Sequence, residues 1–271
     1  MTLRDRIGLD AGSTPLEEAL EFASANGFHY MDFNADTGAN RLDGWTDQRV
    51  RTVRGVCERH DVTLTIHTTS GVNVAEMAPF VGDGVDRYLA ANVDLAERLG
   101  CRRLVVHGGF HFSSSVEARK AASIQRLQRA VAYAERSGRV LLLENLNFEP
   151  DDAEVHYLAH TVEECRMYFD SISSESFGWA FTVNHAHLVP EGFDGFLDAF
   201  GVDRIGEVRL ADNVGHREVH MLPGQGNIDF GAVFRRLEAS GYGGFYTMSF
   251  GSLRDKLEAR DWLAARGPQD P

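Results

Sequence analysis

The sequence predicts an α/β fold, a single (β/α)8 barrel, with one domain over residues 1–271. Three observations carry that reading. Short apolar runs alternate along the chain with amphipathic helical stretches, which implies a parallel sheet. The runs number eight, and eight βα units imply a sheet closed on itself. No composition shift or linker divides the 271 residues, a length usual for one such barrel.

Taken in order, Ile7 to Ala11 is a short first strand ending near Asp10. Ser13-Thr-Pro-Leu-Glu17 opens a helix with a hydroxyl cap, an early proline and an acidic first turn, and Gly27 closes it. Phe28 to Phe33 is the second strand, followed by a polar loop from Asn34 to Gly44 and a helix from Thr46 to about His60. Val62 to His67 is the third strand. A long loop, Thr68 to Gly84, leads to a helix over Val85–Leu99 that Gly100 ends. Arg102 to His107 is the fourth strand, and one of Ser113, Ser114 or Ser115 caps a long helix terminated by Gly138. Arg139 to Glu144 is the fifth strand. Thr161-Val-Glu-Glu164 has the spacing of a capping box, in which hydroxyl and carboxylate satisfy each other's backbone donors. Trp179 to Val183 and Ile205 to Ala211 are strands six and seven. Asp229 caps a helix ending before Gly241, Gly244 to Phe250 is strand eight, and Ser252 to Ala265 is the last helix. The tail Gly267 to Pro271 is expected to be disordered.

Composition narrows the function classes. The hydrophobic content of 43% suffices for one large core. No apolar run of about 18 residues predicts a membrane span, and the charged N-terminus lacks a signal segment, so a cytoplasmic protein is expected. The formal net charge of -13 opposes phosphate-backbone binding and lowers the expectation of a nucleic-acid partner. Cys57, Cys101 and Cys165 are far apart, form no CxxC pair and read as reduced packing residues.

The chemistry concentrates where strands stop. Arg103-Leu-Val-Val-His-Gly-Gly-Phe-His111 is an apolar run that ends in a histidine and two glycines. Leu64-Thr-Ile-His67 and Leu141-Leu-Leu-Glu144 repeat the design. Barrel active sites form at the C-terminal ends of the strands. Two imidazoles and a carboxylate are a catalytic zinc set with a position left open. One such residue reads as a hydrogen-bonded rim group, whereas three on adjacent strands favour a metal site at His67, His107 and Glu144. His185, Glu218 and His220 make a second set, because Glu-x-His in an extended segment points both side chains one way. A solvated loop is the alternative there. His187 and His111 are expected to make substrate or supporting contacts. Gly224-Gln-Gly226-Asn-Ile-Asp229 reads as a turn and helix cap.

These residues resemble the xylose isomerase-like TIM-barrel superfamily of sugar isomerases and epimerases, inosose dehydratases and the zinc enzyme endonuclease IV. His67-Thr-Thr-Ser-Gly-Val-Asn73, Val106-His-Gly-Gly and Leu143-Glu-Asn145 look like its third-, fourth- and fifth-strand motifs. Thr182-Val-Asn-His185 falls on an Asp-x-x-His motif and Arg209-Leu-Ala-Asp212 on a His-x-x-Asp motif. Glu218-Val-His220 followed by Gly224-Gln-Gly-Asn resembles the endonuclease segment Asp-x-His then Gly-Glu-Gly-Asn. The resemblance implies that the isomerases' single metal site is lost: only Glu144 survives, with Thr182, Arg209 and Ser249 replacing its other ligands. In endonuclease terms the middle zinc site is lost and the two outer sets remain.

The resemblance thus implies a metal-assisted sugar (phosphate) isomerase or epimerase, or a lyase such as a dehydratase, acting on a small polyhydroxy or keto compound. The cofactor is a divalent metal, zinc or manganese. Glu144, His185, His187 and Arg209 are the catalytic candidates. His111, Asn145, Arg209 and Asp212 are the substrate contacts, Arg209 as the receiver of an anionic group with Glu144 or Asp212 as its resting partner. A zinc phosphoesterase, with abasic DNA as a conceivable substrate, is the second reading. The third is a barrel that has lost metal-dependent catalysis.

Overall fold

The computed structural model describes residues 1–268, so the expectation for the tail is left outside the described residues from 269 onward. Eight parallel strands close into a barrel: β1 (Ile7–Asp10), β2 (Tyr30–Phe33), β3 (Thr63–His67), β4 (Arg103–Val106), β6 (Val140–Glu144), β8 (Phe177–Thr182), β9 (Ile205–Leu210) and β10 (Phe245–Met248). β1 pairs with both β2 and β10, which closes the ring. A separate antiparallel ribbon joins β5 (Phe110–His111) to β7 (His156–Tyr157), with His111 opposite His156. Helices α2 (Leu16–Ala25), α3 (Asp47–His60), α4 (Pro79–Leu99), α5 (Val116–Glu135), α6 (Val162–Ser171), α8 (Gly192–Phe200), α9 (Phe230–Ala239) and α10 (Leu253–Ala264) connect the strands. Two single turns, α1 (Leu3–Arg6) and α7 (Val183–Ala186), complete the set. Among the described residues no helix is long and apolar enough to cross a membrane.

Period-two alternation explains the two environments of each strand. Leu64 and Ile66, Leu104 and Val106, Leu141 and Leu143, Trp179 and Phe181, and Val208 and Leu210 all join the main hydrophobic core beneath the helices. The residues between them face inward. Val105, Leu142 and Ala180 form a small apolar plug of their own. The rest of the interior is polar: Asp32, Thr65, Glu207, Arg209 and Thr247 are all buried there. The strands are therefore apolar on the outer face and chemically mixed on the inner one.

Several sequence expectations shift. α4 begins at Pro79, not after Gly84, because proline opens a first turn well. Gly82 lies within that helix under the Arg126 guanidinium, where a Cβ would lie 2.7 Å from Nη2. The hydroxyl cap expected for α2 is absent. The cap is Pro15, and the Leu16 N–H donates to Asn40 Oδ1 at 2.9 Å. Ser115 stands at the start of α5 without a side-chain cap. Thr161 Oγ1 accepts from Glu164 N at 3.2 Å, but Glu164 turns its carboxylate to Ala159 N at 2.9 Å. Thr46, Asp229 and Ser252 do cap their helices. Strand six runs Phe177–Thr182, and the residues after it coil into α7. The three cysteines are free, and Cys101 and Cys165 are buried.

Candidate metal and proton-transfer site at the barrel mouth

Each strand that stops at the C-terminal end of the barrel delivers its last inward side chain to one place. β3 ends in His67, β6 in Glu144 and β8 in Thr182, and His107 follows β4 directly. After His107 the backbone must turn against the β3 loop. Gly109 permits this at φ 84°, where a Cβ would lie 2.5 Å from Ala75 N. Asn73 fastens the turn by accepting from Phe110 N at 2.9 Å and donating to Phe110 O at 3.2 Å.

His67 Nε2 lies 3.1 Å from His107 Nε2, and both face Glu144 Oε2, at 3.3 and 3.0 Å. His67 Nδ1 donates to Asp32 Oδ2 at 3.3 Å, a carboxylate–imidazole link that fixes the ring and aims Nε2 at the group. Burial and Arg209 push the His67 pKa down, but hydrogen bonds to Asp32 and Glu144 outweigh them and set it at about 9. Burial pushes His107 down. Burial would raise Glu144, yet the two histidines hold it well below the usual carboxylate range.

The second set lies beside the first. His185 Nδ1 donates to Asn145 O at 2.8 Å, leaving Nε2 toward Glu218 Oε1 at 3.5 Å. His220 Nδ1 donates to Ser249 O, leaving Nε2 at 2.8 Å from the same Oε1. Burial acts to raise the Glu218 pKa, but these two imidazoles bring it down to about 2. Glu144 joins the sets, with Oε1 at 3.6 Å from His185 Nδ1 and accepting from Thr182 Oγ1 at 2.6 Å.

The donors suit a divalent cation on two counts. His67, His107 and Glu144 converge their ligand atoms within 4.8 Å, as do His185, Glu218 and His220. Two facing imidazole nitrogens and a carboxylate share one space, where a bound cation would take the place of a proton. Glu218 Oε2 is buried without any hydrogen-bond partner, an orphaned acceptor that a cation would satisfy.

Arg209 lies between these sets and is 2% exposed. Its Nη1 donates to Asp32 Oδ2 and to Glu207 Oε1, the latter at 2.8 Å; Nη2 reaches Asp10 Oδ2 at 3.4 Å and Nε faces Glu144 Oε1 at 3.8 Å. The protein's own carboxylates thus surround the guanidinium, where sequence reasoning expected a substrate anion. Asp212 is not its partner. It is fully buried and accepts from the backbone N–H groups of Asn213, Gly224, Gly226 and Ile228 at 2.8–3.2 Å, folding the loop before α9. Asn145, also placed among the substrate contacts, is 0% exposed. It ties β6 to β8 through Thr182 N, Thr182 O and Trp179 Nε1. His187 Nε2 donates to Asn227 Oδ1, 2.7 Å away on the rim, rather than joining Glu144. His111 stacks on His156 in the ribbon, centroids 5.3 Å apart. Thr182 donates to Glu144, and Ser249 Oγ to Leu210 O at 3.3 Å.

Sequence reasoning missed Asp10, Asp32, Glu207 and Tyr30, whose hydroxyl joins Thr65 Oγ1 at 2.7 Å and Glu207 Oε2. The signal was available: Tyr30-Met-Asp32-Phe and Glu207-Val-Arg209-Leu each place two polar residues on one face of a strand.

A family model described as a xylose isomerase-like TIM barrel matches residues 20–266. An uncharacterized protein of Sinorhizobium fredii is 24% identical over 269 residues, covering 84% of this chain and 78% of its own. Among solved structures, a D-tagatose 3-epimerase-like protein superposes with a TM-score of 0.86 at 22% identity over 96% of both chains. The 3-keto-D-glucoside 4-epimerase of E. coli does so with a TM-score of 0.77 at 18% identity, over 96% of this chain and 99% of its own. At such identities the likeness is one of fold.

Proposed function

The chain belongs to the xylose isomerase-like TIM-barrel family, and on that premise we propose that it is a metal-assisted isomerase or epimerase of small polyhydroxy ketones. The observation that carries the reading is the convergence of two imidazoles, a further histidine and a guanidinium on the single carboxylate Glu144. The structural neighbours named as sugar epimerases lend support. His67, His107 and Glu144 are the residues that would hold zinc or manganese. When bound, the cation polarises the substrate carbonyl, which acidifies the adjacent C–H.

His185 is then the acid–base group. Its Nδ1–H is anchored by the Asn145 carbonyl, and its Nε2, 3.5 Å from Glu218 Oε1, is the nitrogen that would take the proton from carbon. The electron pair of that C–H bond becomes the enediolate; for isomerisation His185 returns the proton to the same face at the neighbouring carbon, and for epimerisation a water on the opposite face would supply the proton while His185 releases its own to solvent. Glu218 stabilises the imidazolium so formed, and His220, fixed by Ser249 O, keeps Glu218 in place. Arg209, 3.8 Å from Glu144 Oε1, adds to the two histidines that keep Glu144 ionised.

The test follows hydrogen rather than product alone. Metal-loaded protein is incubated with a panel of ketoses in D2O, and deuterium at the carbon next to the carbonyl is read by NMR. Exchange is expected, and His185→Gln should slow it by roughly 10²–10⁴-fold. No exchange in any ketose would overturn the reading. The zinc phosphoesterase remains the second reading, favoured by the orphaned Glu218 Oε2, which invites a second cation at His185, Glu218 and His220. Hydrolysis of a phosphodiester with two metals per chain would select it.

A further inference from the structure

Only two of the 27 basic residues are lysines, and they differ sharply. Lys120 pairs with Glu117 and Glu164. Lys256, on the second turn of α10, is 6% exposed, yet its ammonium has a single hydrogen-bond partner, Gly251 O at 3.2 Å. Among the described residues it forms no ion pair. A buried ammonium with two unused N–H donors is costly unless something completes its shell.

What faces it is a cavity of about 410 Å3 at the barrel mouth, between the loops after β1 and β10. Ser13 and Thr14 offer hydroxyls to this cavity, and His220 and Ser249 connect it to the second histidine set. The first turn of α10 opens beside it, and the N–H groups of Leu253 and Arg254 have no acceptor within the helix. Two carboxylates are near: Asp10, in the cavity wall, is the strongest opposite charge acting on Lys256 without reaching ion-pair distance, and Asp255 lies in the capping box. Asp10 accepts from Gly12 N and faces Arg209, and Asp255 accepts from Ser252 N and Oγ in the capping box. The cavity therefore presents a cation, hydroxyls and free amides, the donor set of an anion.

We propose that this cavity receives an anionic group, a phosphate or carboxylate carried by the keto substrate, with Lys256 as its cationic contact. The proposal rests on the reading of the mouth as a ketose site and adds the substrate class: sugar phosphates or sugar acids rather than neutral sugars. Lys256 does for substrate recognition what Arg209, enclosed by carboxylates, does not.

The probe is inorganic phosphate, titrated into metal-loaded protein and followed by 31P NMR. Saturable binding is expected, weakened at least tenfold in Lys256→Met and in Ser13→Asp, which puts a carboxylate on the exposed rim of the same cavity. Circular dichroism checks that each variant is folded. Binding that is absent, or equal in wild type and in the folded variants, overturns the proposal; equal binding would place the phosphate at the metal. The second arm compares a ketose phosphate with its neutral parent by deuterium exchange. Lys256→Met should raise KM for the phosphorylated compound at least tenfold more than for the neutral one. Phosphate binding that depends on Lys256 without exchange in any ketose would sink the ketose reading and keep the subsite. Exchange that ignores both charge and Lys256 would do the reverse.

Discussion

Arg209 is a cation supplied by the chain itself at a position between two sets of metal-capable residues. Burying a guanidinium is tolerable only because Asp32, Glu207, Asp10 and Glu144 neutralise it. The exchange is mutual. Burial raises the pKa of Asp10 and Glu207 while Arg209 lowers both, and Asp32 ends below its ordinary value because Arg209 and His67 outweigh its burial. Arg209→Leu should therefore cost about 3–5 kcal/mol, since it strands several buried carboxylates. Urea denaturation measures it, and a loss below about 1 kcal/mol would show that the carboxylates take up protons instead. Arg209 stood out because it falls on the His-x-x-Asp motif of the family. The sequence could not announce the partners, because Asp32 lies 177 residues away and Asp10 lies 199 away. His67, His107 and Glu144 were legible for the opposite reason, as a repeated local pattern of apolar strand ending in a metal ligand.

At the scale of elements, strands were easier to read than the loops that do the positioning. Eight apolar runs sufficed for the barrel, because each must bury its outer face under a helix. Elements that answer to tertiary contacts escaped: the β5–β7 ribbon is only two residues deep per strand, and α7 is a single turn. Gly82 and Gly84 disguised the start of α4, and a long-range arginine lies over the first of them. The Gly224–Asp229 segment was correctly read as a turn and cap, but its organiser was not, since Asp212 looked like a site residue. Gly226 sits so close to Asp212 that a Cβ would fall 2.3 Å from Oδ1 and from Asn213 O. Asp212→Ala removes the acceptor of four backbone N–H groups, three of them in that segment. It should destabilise the protein by about 2–4 kcal/mol, an unsatisfied buried donor costing roughly 1–3 kcal/mol and the loop being able to rehydrate some of them. Limited proteolysis should show new cleavage between 222 and 228; unchanged resistance there would mean that the loop does not hang on Asp212.

For the molecule as a whole, buried ion pairs make stability depend on pH, and Glu164 isolates the effect away from the mouth. From α6 its carboxylate reaches two other segments, Lys120 of α5 at 3.1 Å and the loop before α6 through His160 Nδ1 at 3.0 Å and Ala159 N at 2.9 Å, so that three segments are joined. Burial would raise its pKa, but His160 and Lys120 bring it from the ordinary 4.5 down to about 2. A group whose folded pKa is depressed stabilises the fold above its unfolded value and loses that contribution as pH falls through the folded one. The contribution is thus complete above about pH 4.5 and gone below about pH 2. Its size is on the order of 3 kcal/mol for a site this enclosed. His160 has the opposite sign: Glu164 holds its pKa above the ordinary value despite burial, so its share is present in acid and fades as pH rises. Glu164→Gln removes both. Unfolding free energy measured against pH should fall less steeply between about pH 4.5 and 2 in the variant, by close to one proton's slope, ~1.4 kcal/mol per pH unit. At neutral pH the variant should be less stable than the wild type, and the gap should close on acidification. Parallel curves, or a gap that widens in acid, would show that Glu164 titrates as an ordinary surface carboxylate and that the three segments are joined by packing alone.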